Sequence, residues 1–230
     1  MKTTIKILTM TTAMLLTLNL LSVNAQTPTT AGVELFCEGT DLNLGAAPTG
    51  TEWVVRYSTT SGNATPEETL VLTGGTTIPA AELDNGYYYI ATVGDAGNPQ
   101  ICESEWVEVP VYVLQTLTVN FIAEDYCIED AADQEFTADI TTDDAFTDYA
   151  YQWYTFDGTT ETAIAGATAA TYTPDPSIPA NTTTTYRLKA GYLVGGLAYC
   201  SQVGENDITV LEKPGTPTIT IGGGATGETL

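Results

Sequence analysis

The chemistry of this chain is most clearly limited at its four cysteines, which are Cys37, Cys102, Cys127 and Cys200. An even number of cysteines favours a disulfide framework in an oxidising compartment, and four cysteines allow three pairings. We predict Cys37–Cys102 and Cys127–Cys200, because each pair then closes one of the two units of an internal repeat. The alternative is four free thiols. Zinc is less favoured, because no pair has the two-residue spacing typical of its ligands.

Carboxylates crowd the middle of the chain, where calcium binding is the candidate chemistry. Ten acidic residues fall between positions 124 and 148. Calcium takes six to eight oxygen ligands, which clustered loop carboxylates can supply. If calcium binds, we predict Asp143, Asp144 and Asp148 as its ligands, and we predict no other metal or cofactor. A solvated acidic face is the alternative, because the spacing is not that of an EF-hand loop.

Histidine is absent, and this excludes two common nucleophilic mechanisms. Ser-His-Asp and Cys-His arrangements both need an imidazole to take the proton of the nucleophile. A glycosidase needs only two carboxyl groups, but 29 acidic residues make any one pair uninformative. We therefore predict that the chain is not an enzyme.

Residues 1–25 have the features of a secretory signal peptide. Lys2 and Lys6 precede an apolar run at positions 7–21, and Val23-Asn24-Ala25 offers a small-residue cleavage site. We expect a secreted or cell-surface protein with no membrane insertion after the signal is removed. The remaining chain has 4 basic and 29 acidic residues, a net charge of −25. Such a surface repels phosphates, so we expect no nucleic-acid partner.

After residue 25 apolar residues alternate along the chain, and helical periodicity is absent. This pattern predicts that β-strands position the cysteines and the carboxylates. In residues 26–114, the strand at 53–57 places Trp53, Val55 and Tyr57 on one face. A turn at Asp84-Asn85-Gly86 then introduces an aromatic strand. We predict one small β-domain in this range.

Residues 115–213 repeat that order and predict a second domain. Tyr151 and Trp153 share one face of the corresponding strand. Matching the two ranges aligns Tyr186 with Tyr88 and Leu188 with Ile90, so these side chains are expected to face inward. Residues 214–230 are predicted to be a stiff linker followed by the first strand of a third repeat, because residues 218–221 resemble the strand at 118–122.

The motifs resemble those of the bacterial immunoglobulin-like (PKD-like) repeats found in secreted adhesins and multidomain surface proteins. Phe36-Cys37-Glu38-Gly39 is similar to the opening of such a repeat, and Tyr151-Gln152-Trp153-Tyr154 is similar to its middle strand. The resemblance implies an all-β chain of two tandem Ig-like antiparallel β-sandwiches. It also implies a role as a stalk, spacer or adhesive module on a cell surface.

The leading functional expectation is a non-catalytic extracellular structural or adhesive protein whose modules act as spacer or binding units of a longer repeat protein. Its partners would be other domains or copies of such a protein, or a surface glycan or protein ligand. The alternative is a carbohydrate-binding or accessory module of a secreted enzyme. Tyr87, Tyr89, Tyr112 and Tyr154 are predicted to face outward, and a row of exposed tyrosines would favour that alternative. A third possibility is assembly by strand exchange through residues 216–230.

Overall fold

The computed structural model describes residues 26–63, 66 and 68–219, and these residues are almost entirely β-structure with two short 3₁₀ helices, Ala80–Glu82 and Ile128–Asp133. The signal peptide predicted at residues 1–25 lies outside the described residues, as do residues 220–230 of the predicted linker and first strand of a third repeat. The strands are β1 (Glu34–Cys37), β2 (Leu42–Asn43), β3 (Thr51–Ser58), β4 (Glu68–Leu70), β5 (Thr77–Ile78), β6 (Gly86–Gly94), β7 (Val107–Leu114), β8 (Thr118–Ile122), β9 (Tyr126–Cys127), β10 (Phe136–Thr141), β11 (Tyr149–Phe156), β12 (Glu161–Ala163), β13 (Thr171–Tyr172), β14 (Thr182–Val194) and β15 (Leu197–Leu211).

The first seven strands form one sandwich, which we call the first sandwich. Its larger sheet has the order β1-β7-β6-β3-β4, and its smaller sheet pairs β2 with β5. The edge strand β1 runs parallel to β7, whereas the other neighbours are antiparallel. Alternation along each strand turns Leu42, Val55, Ile78 and Tyr88 into the space between the sheets, where they are buried.

The remaining eight strands form the second sandwich. Its larger sheet has the order β12-β11-β14-β15-β9, and its smaller sheet has the order β13-β10-β8. The edge strand β9 again runs parallel to β15. Aromatic rings fill this core, with Trp153 lying 5.0 Å from Phe121 and 6.3 Å from Phe136 between ring centroids. The Phe121–Trp153 pair is edge-to-face, an arrangement that adds to the burial energy.

The larger sheets of the two sandwiches have the same strand order, and the pairing registers give their equivalent residues. Val55 lies opposite Ile90, and Trp153 lies opposite Leu188, which aligns Val55 with Trp153. The prediction of an all-β chain with two tandem Ig-like sandwiches is thus confirmed. The aromatic side chain at the centre of the second core is replaced in the first core by valine.

A tyrosine near the start of β6 adds an Ig-like detail to the first sandwich. The Tyr88 hydroxyl accepts a hydrogen bond from the backbone N–H of Asp84 at 2.8 Å and donates one to the Asp84 carbonyl at 3.1 Å. This is the arrangement of the tyrosine corner of Ig domains. Tyr88, Tyr186 and Leu188 are buried as predicted, and Ile90 is half-buried.

The hairpin of β14 and β15 is the longest element of the fold, with strands of 13 and 15 residues. Gly195 and Gly196 form its turn at φ 59° and 84°, a backbone conformation that glycine adopts without strain. In its lower half, Gly204 passes so close to β8 that a Cβ atom would stand 2.4 Å from the Val119 carbonyl oxygen. The upper half of this hairpin extends towards the first sandwich.

No helix in the described part of the chain is both long enough and apolar enough to cross a membrane.

Candidate functional site at the junction of the two sandwiches

A disulfide bond joins the two sandwiches. Cys37 at the end of β1 is bonded to Cys200 on β15, with an S–S distance of 2.08 Å and a Cα–Cα distance of 5.5 Å. The two residues are 163 positions apart in the sequence. We call the contact region around this bond the junction. It comprises Cys37, Tyr112, Gln115, Asp144, Tyr192 and Cys200.

The pairing predicted from the sequence is therefore wrong, and strand direction explains why. Cys37 lies beside Leu114, where β7 ends, whereas Cys102 precedes Val107, where β7 begins. The length of β7, roughly 23 Å at the usual strand rise, separates these two ends. Disulfide geometry needs Cα atoms within about 7 Å, so cysteines at opposite ends of one sheet cannot pair.

The same argument applies to the second sandwich. Cys127 lies beside Leu211 at the end of β15, and Cys200 lies near the beginning of that strand. The structure leaves Cys102 as an exposed free thiol and Cys127 as a half-buried one.

A β-bulge in the long hairpin aims Cys200 at the first sandwich. The pairing register shifts between Ala190 and Tyr192, so Gly191 faces two residues, Cys200 and Ser201. Cys200 has φ 52°, the left-handed region, which is uncommon for a residue with a side chain. Gly191 has no room for a side chain, because a Cβ atom would lie 2.4 Å from the Ser201 hydroxyl oxygen.

Asp144 is the polar centre of the junction. It lies in the connection between β10 and β11 of the second sandwich, yet both of its carboxylate oxygens bind residues before β8. The Tyr112 hydroxyl donates to one oxygen at 2.7 Å, and the backbone N–H of Gln115 donates to the other at 3.0 Å. The N–H of Phe146 also donates to the first oxygen, at 2.9 Å. Asp144 therefore fixes the end of β7 against the second sandwich.

Tyr192 closes the network from the side of the hairpin. Its hydroxyl donates to the Gln115 carbonyl at 2.8 Å and accepts from the Thr142 hydroxyl at 2.7 Å. The Thr142 oxygen in turn accepts the N–H of Asp144 at 3.1 Å. Both polar backbone groups of Gln115 are thus bound by side chains of the second sandwich. This gives the short connection between β7 and β8 a defined conformation.

Burial determines the ionisation of both junction tyrosines. Burial, together with the hydrogen bond to Asp144, raises the pKa of Tyr112 well above its ordinary value of 10.0. Burial also raises the pKa of Tyr192 to about 12, although the hydrogen bond with Thr142 acts in the opposite direction. Both hydroxyls are therefore protonated at neutral pH and available to donate hydrogen bonds.

Apolar packing is continuous across the junction. Tyr112, Leu114 and Leu117 are buried in the same cluster as the core of the second sandwich. Val33, just before β1, and Leu35, within β1, are partly buried and pack against this cluster. Leu114 has no exposed surface. The first sandwich thus buries apolar residues in the core of its neighbour, and burial of such surface stabilises the contact.

Two polar contacts support the junction at the base of β1. The N–H of Thr116 donates to the Glu38 carboxylate at 2.9 Å. This hydrogen bond is the main reason that the pKa of Glu38 is lowered from its ordinary value. The carbonyl of Leu114 accepts the N–H of Glu38 at 2.8 Å. Residues on both sides of Cys37 are therefore held beside the end of β7.

The predicted calcium ligands have different surroundings. Asp144 is engaged in the junction, whereas Asp143 and Asp148 are exposed. The backbone carbonyl of Asp148 accepts the N–H of Leu193 at 2.8 Å and holds the hairpin against this connection. Among the described residues, no three His, Cys, Asp or Glu side chains are grouped as metal ligands. The structure thus does not bring these three carboxylates together.

Two of the four tyrosines predicted to face outward are buried instead. Tyr112 is covered by the second sandwich, and Tyr89 is covered by the connection between β3 and β4. The Tyr89 hydroxyl donates to Glu108 at 2.6 Å, and that carboxylate also accepts the N–H of Gly62 and the hydroxyl of Ser61. Tyr87 and Tyr154 are half-buried. The sequence predicted the strand face of these residues but not the segments that cover it.

A sequence signal for the hairpin was present and missed. Gly195-Gly196 stands between two runs rich in apolar residues, which is a pattern typical of a tight hairpin. It would have placed Cys200 on a strand that continues beyond the sandwich. No comparable signal marks Asp144 among its acidic neighbours.

No protein-family model and no curated protein matches the chain. Among solved structures, the four N-terminal Ig domains of Dscam1 isoform 9.44 match 79% of this chain at 14% identity, with a TM-score of 0.36. The chain spans 43% of that Dscam1 chain. The fibronectin(III)-like modules of Clostridium thermocellum CbhA match 80% of this chain and 92% of their own, at 16% identity and a TM-score of 0.33. Murine CEACAM1b matches 78% and 96% at 12% identity, with a TM-score of 0.35. At these scores the likeness carries no argument about function.

Proposed function

We propose that the chain is a non-catalytic structural protein of the cell exterior, in which the units at 26–114 and 115–213 act together as one stiff spacer or binding element. The junction is the observation that carries this proposal. A spacer transmits distance and orientation only if its modules do not rotate freely about their connection. The Cys37–Cys200 bond and the Asp144 network both restrict such rotation.

The covalent and polar ties across the junction support a fixed orientation rather than a flexible one. Inter-domain contacts are mobile by default unless they are large and apolar or otherwise tied. Here a covalent bond closes a span of 163 residues, which in the chain-entropy model is worth about 5 kcal/mol as an upper figure. The connection from Leu114 to Thr118 is short, and both polar backbone groups of Gln115 are bound. A hinge at this point would break the hydrogen bonds of Gln115, and the disulfide bond would limit its range.

Surface charge and disulfide chemistry support the proposed location. The chain carries 29 acidic and 6 basic side chains, and a disulfide is stable in an oxidising compartment. Solvated carboxylates keep an extended surface protein soluble. A row of exposed tyrosines would have favoured the alternative of a carbohydrate-binding module, but Tyr89 and Tyr112 use their hydroxyls inside the protein.

Nitrogen-15 relaxation of the two sandwiches tests the proposal. The wild-type protein is expected to give one rotational correlation time for both sandwiches. The triple variant C37S/C200S/D144A is expected to give two distinct, shorter correlation times, because the disulfide bond and the hydrogen bonds of Asp144 are then absent. The matched control C102S/C127S removes the same number of thiols outside the junction and should behave like the wild type. Independent tumbling of the two sandwiches in the wild type would overturn the proposal.

A further inference from the structure

The two cysteines outside the disulfide lie at opposite ends of the molecule. Cys102 is exposed in the connection between β6 and β7, at the end of the first sandwich remote from the junction. Cys127 is half-buried at the end of β9, at the far end of the second sandwich. Most of the length of β15, roughly 35 Å at the usual strand rise, separates Cys127 from the junction.

Each of these free cysteines is the structural equivalent of one partner in the disulfide. Cys37 lies beside Leu114 on a parallel edge strand, and Cys127 lies beside Leu211 on the equivalent strand. Cys102 lies in the connection between β6 and β7. Cys200 lies in the hairpin of the equivalent strands β14 and β15. Each follows the buried core tyrosine of its sandwich by the same number of residues.

The observed bond therefore defines a rule for joining sandwiches. One partner is the cysteine on the parallel edge strand of a sandwich. The other partner is the cysteine in the region that joins the last two long strands of the next sandwich. Cys37 and Cys200 obey this rule within the chain. Cys127 is the edge-strand half of the same pair, and Cys102 is the other half. By this rule Cys127 needs a sandwich that follows the second one, and Cys102 needs a sandwich that precedes the first one. A second copy of the chain placed head to tail provides both.

The surface around Cys127 combines two partly exposed apolar side chains with the exposed carboxylates of Glu129 and Asp130. Leu114 beside Cys37 is fully buried, because the second sandwich covers it. Its equivalent beside Cys127 is Leu211, which is 42% exposed. The neighbouring Ile128 is 38% exposed. This end of the molecule thus exposes an apolar side chain at the position that is covered when a sandwich follows.

We propose that Cys127 of one chain forms a disulfide with Cys102 of a second copy, which links the chains head to tail. The reaction is a two-electron oxidation with a low-molecular-weight disulfide such as glutathione disulfide as the oxidant. The Cys127 thiolate attacks the oxidant, releasing one thiol and forming a mixed disulfide. The Cys102 thiolate of the next copy then displaces the second thiol, so one oxidant molecule is reduced to two thiols for each bond formed.

This contact is heterologous, because each chain contributes a different end. Repetition therefore builds a linear array, or a ring if the rotation between copies closes it. The inference rests on the proposed spacer function in one respect, namely the Cys37–Cys200 bond that provides the rule. The acidic surface opposes association of two copies, so assembly is expected to need at least physiological salt.

Two complementary variants test the proposal. C102S retains Cys127 alone, and C127S retains Cys102 alone outside the junction. Each variant is oxidised with a glutathione buffer in 0.15 M NaCl, separately and as an equimolar mixture, and is then examined by non-reducing electrophoresis. The wild type is expected to form a ladder of oligomers. The mixture is expected to form dimers only, and each variant alone is expected to remain monomeric.

Mass spectrometry of unreduced peptides identifies the bond. A peptide linking residues 102 and 127 in the mixed dimer supports the proposal, and the double variant C102S/C127S should stay monomeric. Dimers formed by either variant alone would overturn it, since they show symmetric pairing. A Cys102–Cys127 link within a wild-type monomer would also overturn it, as would glutathionylated monomers alone. The Cys37–Cys200 peptide should be present throughout, and its absence would remove both the joining rule and the covalent tie of the spacer proposal.

Discussion

The two sandwiches share one strand order but fill it differently. At the centre of the second sandwich, Trp153 is fully buried among aromatic rings, and at the equivalent position of the first sandwich Val55 fills the space. The second sandwich also has a third strand, β8, in its smaller sheet, and β8 supplies Phe121 to the core. In the described residues, the smaller sheet of the first sandwich has only β2 and β5.

The missing strand leaves one flank of the first sandwich open. Trp53 is half-buried there and borders a cavity of about 420 Å³ that Leu44, Ile90 and Val107 also line. Val107 is 60% exposed. The segment before β1 does not cover this flank, because Val33 packs against the core of the second sandwich instead. The first sandwich therefore has the weaker core and depends more on the junction.

Removal of the two tryptophan side chains is the strongest test of this difference. Trp153→Ala deletes a fully buried ring and is expected to cost about 3–5 kcal/mol in the free energy of unfolding. Trp53→Ala deletes a half-buried ring beside a cavity and is expected to cost less than half as much. Urea unfolding followed by far-ultraviolet circular dichroism gives both values.

Hydrogen exchange would show where each tryptophan change acts. Trp153→Ala should increase exchange in β10, β11 and β14, and Trp53→Ala should increase it in β3 and β6 only. Equal costs for the two substitutions would contradict the view that the first core is the more open one. Trp106→Ala is a control, since Trp106 lies on the outside of the first sandwich with the Arg56 guanidinium 4.7 Å from its ring.

Asp144 tests how far the second sandwich supports the first. Asp144→Ala leaves the Tyr112 hydroxyl and the Gln115 N–H without their acceptor and should cost about 1–3 kcal/mol. Asp143→Ala, at an exposed neighbour with the same charge, should change stability by less than about 0.5 kcal/mol. Asp144→Ala should increase hydrogen exchange in β1 and β7 of the first sandwich, although Asp144 belongs to the second sandwich. A response confined to the connection between β10 and β11 would show that the first sandwich is stable by itself.

The fold was accessible from sequence because strand alternation has a period of two residues. Val55, Tyr88 and Leu188 are buried where alternation placed them. The junction was not accessible, because it depends on which end of each strand meets a neighbour. Cys37–Cys200 requires the hairpin to continue beyond its own sandwich, and the position of Cys200 in sequence suggested closure within one repeat. Strand alternation predicts that Tyr112 faces outward. Its side chain is buried because the second sandwich covers that face of the sheet.

Alkaline titration separates the two cores. Tyr88 and Tyr186 are equivalent buried tyrosines, and burial raises the pKa of each well above its ordinary value of 10.0. Above pH 10 the unfolded chain loses these phenolic protons while the folded chain keeps them. The folded state then binds more protons, so stability decreases as pH rises, by up to about 1.4 kcal/mol per pH unit for each group. Below pH 10 this contribution is fully present and constant.

Tyrosine-to-phenylalanine variants assign this slope to a sandwich. Tyr88→Phe loses the two hydrogen bonds to Asp84 and should cost about 1 kcal/mol at pH 7, but the stability of the first sandwich should then decrease less steeply between pH 10 and 12. Tyr186→Phe should reduce the slope for the second sandwich alone. Methyl NMR signals assigned to each sandwich, followed through urea unfolding at each pH, report the two sandwiches separately. If either variant flattened the slope of both sandwiches equally, they would unfold as one cooperative unit, and the junction rather than the two cores would set the stability of the chain.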